Sequence, residues 1–185
     1  MSIFTKHDET TAPTEAATVL AAAKQRYGFV PNLAAYLAES PLVLDAVLKL
    51  AEQFEHSTLS AQEQQLVLLT VSALNGCNYC KTAHTALGKM ADMSSDTLKS
   101  IIGFTPLQDA RHEALRRFTR EIVEAKGWLE EKQIQAFLDA GFTQAQVFEV
   151  VLGIALKTIT NYSNHLAGAE PNEEFLALAA DAIAA

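Results

Sequence analysis

Apolar positions recur at three- and four-residue intervals along most of this chain, and no strand-length stretch shows a sustained apolar–polar alternation. That period predicts a succession of helices. An alanine-rich helix starts at Thr14-Glu15 and runs to about Arg26, and the turn G-F-V-P-N at 28–32 divides it from a short helix over Leu33 to Ala38. Ser40-Pro41, a cap followed by a proline at the first helical position, opens a helix with Leu42, Ala46, Leu50 and Phe54 at helical spacing. S-A-Q-E at 60–63 is a capping box, and the helix behind it carries Leu66, Leu69, Ala73 and Leu74. A further helix starts at or just after Cys77 and runs to about Met90, and a short one follows from Ser94 or Ser95 to Gly103. Thr105-Pro106 reads as the start of a long helix ending at Lys126-Gly127, and Glu130 to Ala140 as a shorter one ended by Gly141. A second box, Thr143-x-x-Gln146, opens the longest apolar stripe, Val147 to about Leu166, stopped by Gly168 and Pro171; a last helix covers Glu173 to Ala184. The run Val-Leu-Leu-Thr-Val resembles a strand in isolation, but the capping box ahead of it and the length of the pattern assign it to a helix. The expected fold class is all-α.

At 185 residues and 49% hydrophobic, the chain is long and apolar enough for a single domain over 1–185, with residues 1–13 a flexible polar arm able to clasp a partner subunit. Two 19-residue segments, Leu66 to His84 and Val147 to His165, are offset by 81 and share a layout: a box of cap plus acid or amide, an apolar helix, a histidine near the end. They suggest a weakly repeated helical unit, with half-repeats at about 41–103 and 106–168, in which Cys80 of the live site has Asn161 as its silent counterpart. A net charge of -8 without a basic patch argues against nucleic-acid binding. No run reaches membrane-span length and no secretion-signal order opens the chain, so a cytoplasmic location away from membranes is expected.

Candidate chemistry concentrates in N-G-C-N-Y-C-K-T-A-H at 75–84, which holds both cysteines of the protein. Cys77, Cys80 and His84 are three and four apart and so can share one helical side. Three readings of the pair compete: a reactive dithiol, half a metal site, or two buried spectators. A structural zinc usually takes four protein ligands, and His7, His56, His112 and His165 have no ligand spacing with the pair. Gly76 and an adjoining helix start, whose amides favour a thiolate, weight the reading toward redox chemistry. His84 then serves as proton carrier, able to hydrogen-bond Cys80. By thioredoxin-like logic Cys77, the N-terminal and more exposed thiol, meets the reductant while Cys80 attacks, although the roles are reversible. Tyr79 suits either core or pocket wall, and Glu63 is most simply a capping residue. Asn161 and His165, on an otherwise apolar helix, must be hydrogen-bonded if buried and line either the pocket or a network between the halves. Lys157 reads as a solvent contact on a helix face.

With these residues in place, the chain resembles the alkylhydroperoxidase D / carboxymuconolactone decarboxylase superfamily, and most closely its peroxidase-related branch. The stretch S-A-L-N-G-C-N-Y-C-K-T-A-H carries the signature, supported by G-F-V-P-N at 28–32, the lead-in at 59–69 and V-L-G-I-A-L-K-T-I-T-N-Y-S-N-H at 151–165, so that about 20–172 is covered. The resemblance implies an AhpD-like helical fold and a homo-oligomer, for which trimers and hexamers are familiar and a dimer is compatible. It also implies reduction of a small hydroperoxide by the C-x-x-C pair, recharged by a protein or lipoyl dithiol. No haem, flavin or metal is required. The family often has a glutamate twelve residues before the first cysteine; here Gln65 stands there and cannot exchange a proton, which implies a shorter or weaker relay. Rival functions are dithiol–disulfide exchange or redox sensing, a non-enzymatic helical oligomer, and a decarboxylase-like activity on a small acid.

Overall fold

Ser60 and Thr143 each close a capping box, and the two helices they start form the centre of the molecule. The structure, a computed structural model, describes residues 3–183, all helical or in turns and loops between helices. The elements are α1 (Thr14–Tyr27), α2 (Asn32–Leu37), α3 (Pro41–Glu55), α4 (Ala61–Leu74), α5 (Asn78–Met90), α6 (Ser95–Ile102), α7 (Ala110–Ala125), α8 (Glu131–Asp139), α9 (Gln144–Ala167) and α10 (Glu173–Ile183). The all-α expectation holds, and no strand occurs among the described residues. Met1 and Ser2 of the expected arm, and Ala184 of the last helix, lie outside the described residues.

Helix α4 is apolar on nearly every side and is correspondingly enclosed, with Leu66, Val67, Leu69 and Val71 buried among α3, α5, α6, α7 and α9. The main core joins Leu66, Val67 and Leu69 to Phe54, Leu98, Leu115, Phe118, Phe137 and Val150. A second cluster gathers Leu33, Cys77, Tyr79, Cys80, Ala83 and Phe175, and a third holds α1 against α2 and α3 through Ala16, Leu20, Ala34 and Leu44. Helix α10 closes over α5 and α6.

Three stretches depart from the sequence pattern. Thr105-Pro106 does not open α7. Asp109 accepts from the His112 amide at 2.7 Å and caps the helix four residues later, while the Leu107 amide is taken by Glu113 Oε2 at 2.9 Å, which holds 106–109 as a loop. The arm is tied down where its polar side chains find partners: the His7 amide donates to the Ala35 carbonyl at 3.0 Å, its Nε2 lies 2.7 Å from Glu39, and Asp8 gathers Thr10 and Thr11. The two offset segments also differ in shape, since 66–84 breaks between α4 and α5 whereas 147–165 is one uninterrupted helix.

Gly153 marks the closest approach of α9 to its neighbours. A Cβ there would lie 2.8 Å from two ring carbons of Phe54 and 3.0 Å from Val67 Cγ1. Both neighbours are fully buried and cannot retreat into solvent. Gly153→Ala is therefore expected to lower unfolding stability by about 1–3 kcal/mol, the usual cost of overpacking, as read from the urea midpoint at constant m-value. An unchanged or raised midpoint would show that α9 can shift to admit the methyl.

Candidate active site

A Schellman turn builds the site. Helix α4 ends at Asn75, Gly76 adopts φ 67°, the Gly76 amide donates to the Ala73 carbonyl and the Cys77 amide to the Ser72 carbonyl. Only glycine takes this left-handed position without strain. The chain leaves the turn extended at Cys77, which becomes the N-cap of α5, and Cys80 falls in the first turn of that helix, among backbone N–H groups with no intrahelical acceptor.

Both cysteines are free thiols and both are buried, Cys77 at 1% and Cys80 at 2% exposure. The expectation that Cys77 is the more exposed thiol is thus not met. Cys80 alone of the pair lines a cavity of about 150 Å3, whose other walls are mostly apolar: Leu33, Ala34, Leu44 and Val47 from α2 and α3, Ala83 from α5, Leu156 from α9 and Phe175 from α10. Cys77 sits behind Cys80, where the Asn164 amide reaches its sulfur at 3.6 Å. The two thiols titrate oppositely. A hydrogen bond from Cys77, the nearby charge of Lys157, and contacts from the Asn161 and Lys157 side chains outweigh burial and lower Cys80 to about 6. Its bond to Cys80 and its own burial push Cys77 far up. The pair thus favours the charge on Cys80 and the proton on Cys77.

Lys157 is the residue the pattern misassigned. Expected on a solvent-facing position, it is 3% exposed and points inward. Its Nζ lies 2.8 Å from His84 Nε2. An ammonium only donates, so Nε2 is the acceptor and the imidazole proton sits on Nδ1, from which it is donated to Gln65 Oε1 at 3.0 Å. Burial and the adjacent Lys157 charge hold His84 well below the ordinary imidazole range, so it is neutral. No hydrogen bond joins His84 to Cys80 among the described residues. The side chains therefore follow one another in the order Cys80, Lys157, His84, Gln65, with lysine where a direct cysteine–histidine contact was expected.

The remaining expected residues divide. Gln65 faces the site. Asn161 does too: its Oδ1 accepts from Asn75 Nδ2 at 2.9 Å, and its own Nδ2, buried without a protein acceptor, contributes to holding Cys80 ionised. Tyr79 forms cavity wall. Its hydroxyl accepts from the Leu33 amide and donates to Asn172 Oδ1, each at 3.3 Å, which clamps α2 and the segment after α9 over the cysteines. Glu63 lies elsewhere, spent on the Ser60 amide and a 2.7 Å ion pair with Arg111. His165 is excluded as well: one residue past Asn164 the helix has turned outward, leaving its ring exposed beside Tyr162. Asn164 and Lys157 were the residues that pattern alone missed. Their signal was positional, since 157, 161 and 164 share one helical face. Among the described residues no group of three or more His, Cys, Asp or Glu is placed to hold a metal ion.

Residues 41–105, from α3 through α6 and including the dithiol, match the carboxymuconolactone decarboxylase family. No protein of curated function matches the sequence. Among solved structures, an uncharacterized peroxidase-related protein with an alkylhydroperoxidase AhpD core, from Ralstonia eutropha JMP134, superposes with a TM-score of 0.86 at 21% identity over 94% of each chain. A peroxidase-related protein from Silicibacter sp. TM1040 gives 0.77 at 24% identity, over 88% of this chain and 87% of that one. The debrominase Bmp8, determined with 2,3,4-tribromopyrrole, gives 0.81 at 14% identity over 98% of each chain. The chain thus shares the all-helical fold of these structures and carries, across its dithiol segment, a stretch similar to the carboxymuconolactone decarboxylase family.

Proposed function

We propose that the protein is a dithiol peroxidase acting on small apolar hydroperoxides. The observation that carries this reading is Cys80, the more acidic thiol of the pair, lining an apolar cavity with Cys77 off the cavity beside it. In the proposed cycle the Cys80 thiolate attacks the terminal peroxide oxygen, the O–O bond breaks, and the alkoxide leaves after taking a proton. Cys80 is then a sulfenic acid. The Cys77 thiol condenses with it, forming the Cys77–Cys80 disulfide and releasing water. An external dithiol restores both thiols by exchange and leaves as a disulfide. Burial of both sulfurs favours a slender lipoyl-type dithiol, or one carried on a narrow protein tip, that enters through the cavity to Cys80. A cytoplasmic, reducing compartment would keep the pair ready. An apolar cavity of about 150 Å3 is the size that binds benzene elsewhere, so compact organic peroxides fit better than long lipid ones. A halogenated heteroaromatic is a second substrate class for the same cavity, favoured by the fold shared with a debrominase that binds tribromopyrrole, and the assay should include one.

Oligomerisation belongs to the same proposal. Beyond Thr143, α9 turns Phe148, Val151, Ile159, Tyr162 and Leu166 outward as an exposed apolar stripe. A second copy of the chain is the proposed cover.

Three outcomes are expected. Limiting cumene hydroperoxide should give one intramolecular Cys77–Cys80 disulfide, seen as a loss of two hydrogens on the peptide holding both residues, and Cys77→Ser should halt at oxidised Cys80; a stable sulfinic acid on wild-type Cys80 would remove Cys77 from the resolving role. Iodoacetamide at pH 7 should modify Cys80 first. Because the Cys80 pKa is depressed, its reactivity should persist well below the ordinary thiol range and be lost only as the pH falls through about 6. Thiols that stay unreacted until the chain unfolds would mean an inert pair. Light scattering at micromolar concentration should return a multiple of the 20.1 kDa chain, and a monomer mass would contradict the stripe's assignment.

A further inference from the structure

The alkoxide released from a hydroperoxide needs a proton, and the cavity offers few sources. His84 is neutral, its Nε2 lone pair is occupied by Lys157 and its Nδ1–H is committed to Gln65. Gln65 does not titrate. The Tyr79 hydroxyl is committed to Asn172, and burial pushes both Tyr79 and Tyr27, the other phenol on the cavity wall, above the ordinary tyrosine range. The Cys77 proton leaves with the water formed at disulfide closure. From α2 and α3 the cavity wall is apolar, and on α9 Thr160 is its polar residue beside Lys157, while the amide of Asn161 acts on Cys80. Lys157 remains. It lines the cavity, touches Cys80, and forms no ion pair with a carboxylate among the described residues.

Resting on the peroxidase reading above, we propose that Lys157 is the catalytic acid: it pairs with the Cys80 thiolate in the reduced protein, gives its proton to the departing alkoxide, and stays neutral in the disulfide form. A buried ammonium is tolerated while a counter-ion sits beside it, and a buried charge stripped of its partner is strongly disfavoured. Attack on the peroxide converts the thiolate to a neutral sulfenic acid. The counter-ion disappears in the same step that creates the alkoxide, so loss of the lysine proton becomes favourable at the moment it is needed. The balance closes. Thiolate, ammonium and ROOH give sulfenic acid, amine and ROH; sulfenic acid and the Cys77 thiol give disulfide and water. On reduction the two hydrogens of the external dithiol return as the Cys77 thiol and the Lys157 ammonium, with Cys80 again a thiolate. His84, held by Gln65, positions the amine without exchanging a proton.

The wild-type protein supplies the first test. Oxidation by tert-butyl hydroperoxide at pH 7 in weak buffer with an indicator dye should take up no net proton per disulfide formed. Uptake of one proton would show that Lys157 keeps its charge and would overturn the assignment. Variants supply the second, with two electrophiles that differ in proton demand: iodide leaves iodoacetamide without a proton, whereas the alkoxide requires one. Lys157→Arg keeps the charge but cannot donate, so alkylation should stay within a few-fold of wild type while disulfide formation slows by about 10²-fold or more. Lys157→Met should slow both. An arginine variant that oxidises at the wild-type rate would assign the proton elsewhere, and a methionine variant alkylated like wild type would abolish the ion pair. Wild-type protein that alkylates as expected yet ignores every hydroperoxide would bring down the peroxidase reading and the donor role together, while leaving the ion pair in place.

Discussion

A buried thiol of lowered pKa and a buried lysine on the wall of one cavity are the pairing on which this site depends. Neither charge is tolerable there alone. Burying an unpaired ion costs several kcal/mol even after the surroundings relax, and that cost is offset only by close pairing and by hydrogen bonds to the remaining donors and acceptors. The surroundings supply them. Lys157 reaches both Cys80 and His84, His84 is anchored by Gln65, Asn161 turns a free amide N–H inward, and Cys77 remains protonated beside the thiolate. Gln65 suits this arrangement. A carboxylate in its place would draw charge onto the imidazole and compete with Cys80 for the lysine.

This pairing explains why α9 is amphipathic in the reverse sense over its C-terminal half. Lys157, Thr160, Asn161 and Asn164 form its buried face, and Ile159, Tyr162 and Leu166 its exposed one. An isolated helix would place these faces the other way. The inversion persists because each inward side chain has a partner on α5 or in the turn before it: Asn75 for the Asn161 carbonyl, Cys77 for the Asn164 amide, His84 for Lys157. The Schellman turn at Gly76 is what brings those partners to one side of α9.

Much of the architecture was legible from residue order. Capping boxes at Ser60 and Thr143 and the Asn-Gly break at 75–76 act through hydrogen bonds spanning at most five residues, and Pro41 through its fixed φ, so local sequence specifies them, and most helices among the described residues begin within a residue or two of the expected positions. Thr105-Pro106 does not start the helix because Glu113, six residues past Leu107 and in the first turn of α7, takes the Leu107 amide while Asp109 caps the helix. The cysteine pair and His84 could also be recognised in advance, since their spacing on one helix determines their neighbourhood.

What tertiary structure alone decided is how those groups divide their protons. Residues 80 and 157 belong to different helices, and only the packing of α9 across α5 puts an ammonium beside the sulfur. Spacing gives no measure of burial across helices, so Lys157 looked like a surface residue, His165 like a candidate, and Cys77 like the open thiol. Electrostatic effects depend on distance and on the exclusion of water. Both are properties of the folded chain: residue order made a dithiol available, and the crossing of two helices chose which sulfur carries the charge.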